Sequence, residues 1–223
     1  MVIEIFKDPV LLQRVRAELE TLTTTPDDRL KWIDELMHLP LLQSIYAEVL
    51  RLRTGVQTVF RDNREDIRIN QWIFPKKTLV IVPTMEAHMD ETYWSTRGGK
   101  YPLNRFWADR FLAYPDDPLS GPSRIPDPAR EKNASRYNRS GPRFVNVGSS
   151  DAFIPYGIGE RTCPGRLFAR REMVATCAML VQGFDLELPS LKPDTYVPAS
   201  GVMYGLGVLR PKGSQPFRIR RRS

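Results

Sequence analysis

The run Tyr156-Gly157-Ile158-Gly159-Glu160-Arg161-Thr162-Cys163-Pro164-Gly165 sets a single thiol at the mouth of a glycine-rich turn. Directly after it, Leu167, Val174, Cys177, Ala178 and Val181 recur on one helical face while Arg166, Arg170 and Arg171 fall on another, which predicts an amphipathic helix ending near Gly183. Backbone N–H groups of the turn and the positive end of that helix favour a thiolate, so Cys163 is expected to serve as ligand or nucleophile. Glycines at 157, 159 and 165 allow a tight turn and close approach to a flat or bulky group. Arg161 adds a fixed cation two residues from the thiol.

Other chemistries fit this run poorly. Gly157-Ile-Gly159 opens like a dinucleotide loop, but the third glycine comes at 165 and no clean strand precedes it. Cys163 and Cys177 lie 14 residues apart and His38 and His88 lie 50 apart, which matches no zinc-ligand spacing. A nucleophilic Cys163 paired with His88 has no local signature to support it. Cys177, on the apolar stripe, reads as a buried and inert thiol. A helix between the two cysteines would hold them ~21 Å apart, beyond disulfide reach, which fits a reduced, intracellular setting.

Outward from the loop, the rest of the chain reads as an ordinary globular sequence. Its 223 residues are 41% hydrophobic and 26% charged, which excludes disordered, collagenous and disulfide-scaffold classes. Six of the 33 basic residues lie beyond the last acidic one, Asp194, leaving 27 basic against 26 acidic residues over Met1 to Leu209. The net charge of +7 is therefore a property of the tail and not a sign of a nucleic-acid partner. No apolar run reaches the ~20 residues of a membrane span, and no signal segment is evident.

Asp8-Pro9 is a cap followed by proline at the first helical position, and Leu11, Val15, Leu19 and Leu22 continue it as a helix expected to end near Thr23 to Pro26. A short helix over Asp27 to Met37 should follow. Pro40 opens a third, with Leu41, Leu42, Ile45, Tyr46, Val49 and Leu50 as its apolar face and Gly55 closing it. Val56 to Phe60, Ile67 to Ile69, Trp72 to Phe74 and Leu79 to Val82 have the composition of short strands, read as a small antiparallel meander. Tyr114 to Ser150, rich in proline and glycine, reads as a long irregular connection whose length hints at function.

Tyr156, Gly159, Arg161, Cys163 and Gly165 together resemble the haem-binding loop of the cytochrome P450 superfamily, Phe-x-x-Gly-x-Arg-x-Cys-x-Gly, with tyrosine in the phenylalanine position. That substitution keeps an aromatic plane and is expected to add a hydroxyl near the thiolate. Glu48-Val-Leu-Arg51 resembles the family's Glu-x-x-Arg, and its i, i+3 spacing puts both charges on one helical face. Phe106-Trp-Ala-Asp-Arg110-Phe111 resembles the segment whose arginine completes that network, with Arg105 as the alternative. Arg61 falls where relatives place a haem-propionate arginine, and His88 where a structural hydrogen-bonding role is expected.

The resemblance covers essentially the whole chain. It implies an α+β, mainly helical fold: one partial domain over 1–223, the C-terminal half of the cytochrome P450 fold with small antiparallel sheets, and with the central oxygen-activating helix missing. It implies haem b ligated by Cys163, propionates met by Arg61 and Arg161, and O2, a lipophilic small molecule and an electron-donating reductase as partners. The reductase would dock near Arg166, Arg170 and Arg171, although a merely solvated helix face is an equal reading of those residues. The activity implied is that of a monooxygenase acting on a sterol, fatty acid or secondary metabolite, with a fungal character to the sequence. Segments 55–60 and 203–207 correspond to substrate-contacting segments of relatives. The alternatives are a haem-binding fragment without turnover, and a relative that rearranges or dehydrates its substrate without O2.

Overall fold

The computed structural model describes residues 1–55, 57–60, 64–123, 141–145, 152–159, 162–200 and 207–222. A short helix α1 (Val2–Phe6) leads into α2 (Pro9–Leu19), whose start follows from the Asp8-Pro9 pair: the Asp8 carboxylate accepts from the N–H groups of Val10 and Leu11 at 2.9 and 3.1 Å. Leu11, Val15 and Leu19 form its buried stripe. The helix stops at Leu19, short of the expected Thr23 to Pro26, because the threonine run bonds elsewhere. Thr21 donates its hydroxyl to the Glu18 carbonyl at 2.7 Å, and the Glu35 carboxylate takes the N–H groups of Thr23 and Thr24 at 2.9 and 3.2 Å.

Helix α3 (Arg29–Leu36) is shorter than the expected Asp27 to Met37 and buries Trp32 and Leu36. Helix α4 (Pro40–Arg53) is the central element, and it is buried on more than one face. Beside its apolar residues, Gln43, Ser44, Ala47, Glu48 and Arg51 are enclosed too, whereas Val49 is only half-buried. Its polar interior groups find backbone partners: Gln43 donates to the Leu36 carbonyl at 2.9 Å, and Ser44 accepts from the Phe111 N–H at 3.1 Å while donating to Ala108. The first N–H groups of α4 are met from outside the helix, as Glu18 of α2 accepts from Leu41 and Leu42 at 2.7 and 2.8 Å.

The strands after α4 do not form a sequential meander. Strand β1 (Gln57–Phe60) pairs antiparallel with β4 (Val80–Pro83), register Gln57 to Pro83, and β2 (Ile67–Ile69) pairs with β3 (Trp72–Phe74) as a hairpin nested between them. Asn70 takes the left-handed conformation in that hairpin's turn, φ 52°. Helix α5 (Thr84–His88) follows, then the strand pair β5 (Leu112–Ala113) with β6 (Arg143–Phe144). Helix α6 (Arg166–Gly183) runs into β7 (Phe184–Glu187), which pairs with β8 (Arg218–Arg221). Val174, Cys177, Ala178 and Val181 of α6 are buried as expected, but Leu167 is 62% exposed, since the first turn of α6 projects beyond the core. Burial pushes the Cys177 thiol up to about 11.

The core has two parts. One gathers α1 to α4 and α6 around Ile5, Val15, Leu36, Leu42, Ile45 and Val174; the other surrounds Trp94 and Phe111. Arg16 of α2 seals the end of α6 by donating to the carbonyls of Val181 and Phe184 at 3.3 and 3.1 Å and to Asp185 at 2.8 Å. Replacing Glu18 by alanine removes the carboxylate from the start of α4 and should lower the unfolding free energy by about 1–2 kcal/mol, measured by urea denaturation, as for loss of a helix cap.

Candidate functional site

Cys163 is a free, exposed thiol three residues ahead of α6. Its loop is closed by its own backbone: the Cys163 N–H donates to the Tyr156 carbonyl at 2.9 Å, the Gly157 N–H to Ile154 at 3.1 Å, and the Thr162 N–H to Gly159 at 3.1 Å. Gly157 and Gly159 stand at φ 78° and 64°, which a side chain resists, so the turn needs glycine at both positions. Gly165 is different. Its φ is ordinary, and a Cβ built there would meet Cys163 Sγ at 3.9 Å, so glycine at this position keeps the space beside sulfur open. Arg61 and Arg161 lie outside the described residues.

The three arginines after the loop do not share one environment. Arg166 folds back to donate to the Cys163 carbonyl at 3.1 Å, Arg171 is exposed, and Arg170 turns inward. Its Nε donates to Gln43 Oε1 at 2.7 Å, and its guanidinium lies over the rings of Tyr46 and Phe144. Tyr156 also points inward. Its hydroxyl is 2.6 Å from the hydroxyl of Tyr46 on α4, so it bonds into the interior of the protein.

Below the loop lies the charged centre of the core. Glu48 accepts from Arg51 Nε and Nη2 at 2.7 and 2.9 Å and from Arg110 Nε at 3.0 and 3.1 Å, and all three side chains are fully buried. The guanidiniums also donate to carbonyls, Arg51 to His88 and Leu103 at 2.8 and 2.6 Å and Arg110 to Ser95, Tyr101 and Pro102 at 2.6, 3.4 and 3.3 Å, and Arg51 to the Met89 sulfur at 3.5 Å. Arg105, the alternative to Arg110, instead sits exposed, over the ring of Tyr196 at 5.0 Å. Burial holds the Arg110 guanidinium below its usual range, against the pull of Glu48.

His88 joins this centre to the thiol loop. One ring nitrogen, Nδ1, lies 3.0 Å from the Arg51 carbonyl and must donate; the other, Nε2, accepts from the Ile154 N–H at 3.1 Å. Both bonds are satisfied only by the neutral ring, and burial lowers its pKa from 6.5 to about 4. Sequence reasoning anticipated a hydrogen-bonding role for His88 but not its partners, and it missed Tyr46 and Gln43 as parts of the site, because residues distant in sequence meet here without any local signal.

Of the segments 55–60 and 203–207, residues 56 and 203–206 lie outside the described residues, and contact is described only at the ends Gly55 and Gly207 and beside them. The Gly55 N–H donates to the Gly207 carbonyl at 3.1 Å, the Leu209 N–H donates to Arg53 at 2.6 Å, and a Cβ at Gly55 would press on Leu209 at 3.2 Å.

The described site therefore consists of an exposed thiol beside a left-handed glycine turn and, deeper in the core, a buried glutamate shared between two arginines. The cytochrome P450 family profile matches residues 1–213. The chain is 39% identical to the cytochrome P450 monooxygenase efuG of Hormonema carpetanum, over 96% of this chain and 38% of that protein, and 39% identical to the monooxygenase fsoE of Humicola fuscoatra, over 99% and 38%. Among solved structures, the retinoic acid-bound cyanobacterial CYP120A1 superposes with a TM-score of 0.61 at 23% identity, covering 94% of this chain and 38% of that one. The chain belongs to the cytochrome P450 family, and it spans about two fifths of the length of these relatives. Among the described residues, no helix is long and apolar enough to cross a membrane.

The family implies haem, and the residues present fit it. The loop offers one soft donor, open space at Gly165, and exposed apolar side chains in Ile158, Leu167 and Phe168, which would suit one iron ligand beside a large apolar ring.

Two outcomes test this geometry. Glu48→Gln leaves Arg51 and Arg110 buried with reduced charge compensation and should destabilise the chain by about 3–5 kcal/mol in urea unfolding. For His88, the unfolded ring binds a proton below about pH 6.5 and the folded ring only below about 4, so its contribution is complete above 6.5 and falls as pH drops through that window. Between pH 7 and pH 5 it should cost about 2 kcal/mol of stability, a slope that His88→Asn should remove.

Proposed function

We propose that this chain carries the haem-thiolate centre of a monooxygenase acting on a lipophilic small molecule of secondary metabolism, a sterol-like compound or a fatty acid being of the same chemical kind. The observation that carries the reading is Cys163 itself: an exposed thiol, held by its own N–H to Tyr156 and flanked by a glycine that leaves room beside the sulfur. Its relatives efuG and fsoE are both monooxygenases by name.

In this reading Cys163 holds the haem iron as thiolate, and Arg161 and Arg61 neutralise the propionates. When bound, haem would supply activation of O2 with two electrons from a reductase and two protons, one oxygen atom entering a C–H bond and the other leaving as water, and the Cys163 thiolate would favour O–O cleavage by electron donation. The chain's residues orient and exclude. Segments 55–60 and 203–207 would contact the substrate, and the Gly55 N–H bond to the Gly207 carbonyl ties their ends together. Arg166 and Arg171 present positive charge to an acidic reductase surface, and complementary charge speeds encounter. Arg170, turned inward onto Gln43 and Tyr46, takes no part in that contact.

The test is the reduced, carbon monoxide difference spectrum of the full chain after haem addition, with Cys163→Ala as control. A thiolate-type Soret shift that the substitution abolishes is expected. A shift indifferent to the substitution, or none, would overturn Cys163 as the ligand and with it the oxygenase reading of this chain.

A further inference from the structure

The thiol loop is fastened at both ends to the same stretch of α4, by side chains that its motif does not name. Cys163 lies midway between Tyr156 and Arg170, seven residues from each. Tyr156 meets Tyr46 hydroxyl to hydroxyl at 2.6 Å. Arg170 donates to Gln43 Oε1 at 2.7 Å and lies over the Tyr46 ring, 5.9 Å from its centre. Gln43 and Tyr46 are three residues apart on α4, one turn of the same face, and both are buried. Between these anchors the backbone carries the thiol: Cys163 donates its N–H to the Tyr156 carbonyl at 2.9 Å, and its carbonyl accepts from Arg166.

We propose that Tyr46 is a positioning residue for Cys163, acting through its hydroxyl bond to Tyr156 and its contact with Arg170 to clamp residues 156–159 and 162–170 and fix where the sulfur stands against the haem.

The physical case rests on what the loop lacks. Gly157 and Gly159 stand in left-handed conformations with no side chain, so they contribute only backbone hydrogen bonds to the turn, and glycine raises the entropy lost on ordering it. Phenylalanine at 156, as the family resemblance expects, would fill the same space but offer nothing to the Tyr46 hydroxyl, leaving it without this partner. The two tyrosines therefore act as a pair. The proposal rests on the haem-thiolate reading of Cys163 for its functional meaning, but the clamp is a property of the chain and is measurable without haem.

The experiment measures amide hydrogen exchange of the haem-free full chain, resolved to the peptides covering 154–166 and to α2 as a remote reference, for the unaltered chain, Tyr46→Phe, Tyr156→Phe and the double variant. Each single substitution should speed exchange at the Cys163 amide by about fivefold to tenfold, with α2 unchanged, and the double variant should exchange no faster than the singles, because both remove the same bond. A second arm loads haem and records the carbon monoxide-bound spectrum, in which the Phe variants should show less thiolate-type Soret band relative to the unligated form. Unchanged exchange in both single variants, an equal rise in α2, or multiplied effects in the double variant would overturn the clamp. If exchange behaves as expected while no variant, nor the unaltered chain, shows a Cys163-dependent Soret shift, the haem reading fails and with it the positioning role, leaving only a structural clamp.

Discussion

One carboxylate held between two guanidinium groups, all three fully withdrawn from water, is the constraint around which the structure is arranged. Glu48 cannot neutralise both Arg51 and Arg110, so the centre keeps a net positive charge in a medium that penalises it. The compensation comes from carbonyl dipoles. His88, Leu103, Ser95, Tyr101 and Pro102 each turn a carbonyl toward these guanidiniums, and Trp94 lies under Arg51 with the cation 5.5 Å from its ring. The path of residues 88–110, which contains almost no regular secondary structure, is set by this requirement. Irregular backbone here is ordered because its carbonyls are needed at stated places.

Helix α4 transmits that order in both directions. Its first N–H groups are taken by Glu18 from α2, and its last residues join segment 207–209 through Arg53 and Gly55. The charged centre sits between these ends, and His88 extends it to Ile154, two residues before the thiol loop begins. A neutral His88 bridges two backbone groups with one donor and one acceptor, which no protonated ring could do. The loop's entry is thus hydrogen-bonded, through one imidazole, to the carbonyl of an arginine in the ion-pair centre.

Much of this was legible in the sequence wherever the signal was local. Asp8-Pro9 marks the start of α2, β2 and β3 fall at Ile67 to Ile69 and Trp72 to Phe74, and α6 ends at Gly183, because caps, β-branched runs and helical periodicity act over a few residues. The Glu48, Arg51 and Arg110 set was readable only by resemblance, since nothing local to Arg110 distinguishes it from Arg105. What was not legible depends on long-range partners. The end of α2 is decided by Glu35, the start of α4 by Glu18, the pairing of β1 with β4 by a hairpin between them, and the inward turn of Arg170 by Gln43. None of these leaves a periodic trace, and a polar residue that seals a helix end looks the same in sequence as one that faces water.

The loop illustrates the distinction between naming a ligand and placing it. Its glycines permit an unusual backbone path and hold it only through backbone hydrogen bonds. Side-chain anchors come from outside the turn: His88 at Ile154, Tyr46 at Tyr156, and Gln43 at Arg170. Two of those three partners, Tyr46 and Gln43, belong to α4, and the third is bonded to its Arg51 carbonyl. The position of the Cys163 sulfur is therefore inherited from the helix that carries the ion pair, so a change to the charged centre should reach the thiol even though no side chain of that centre touches it.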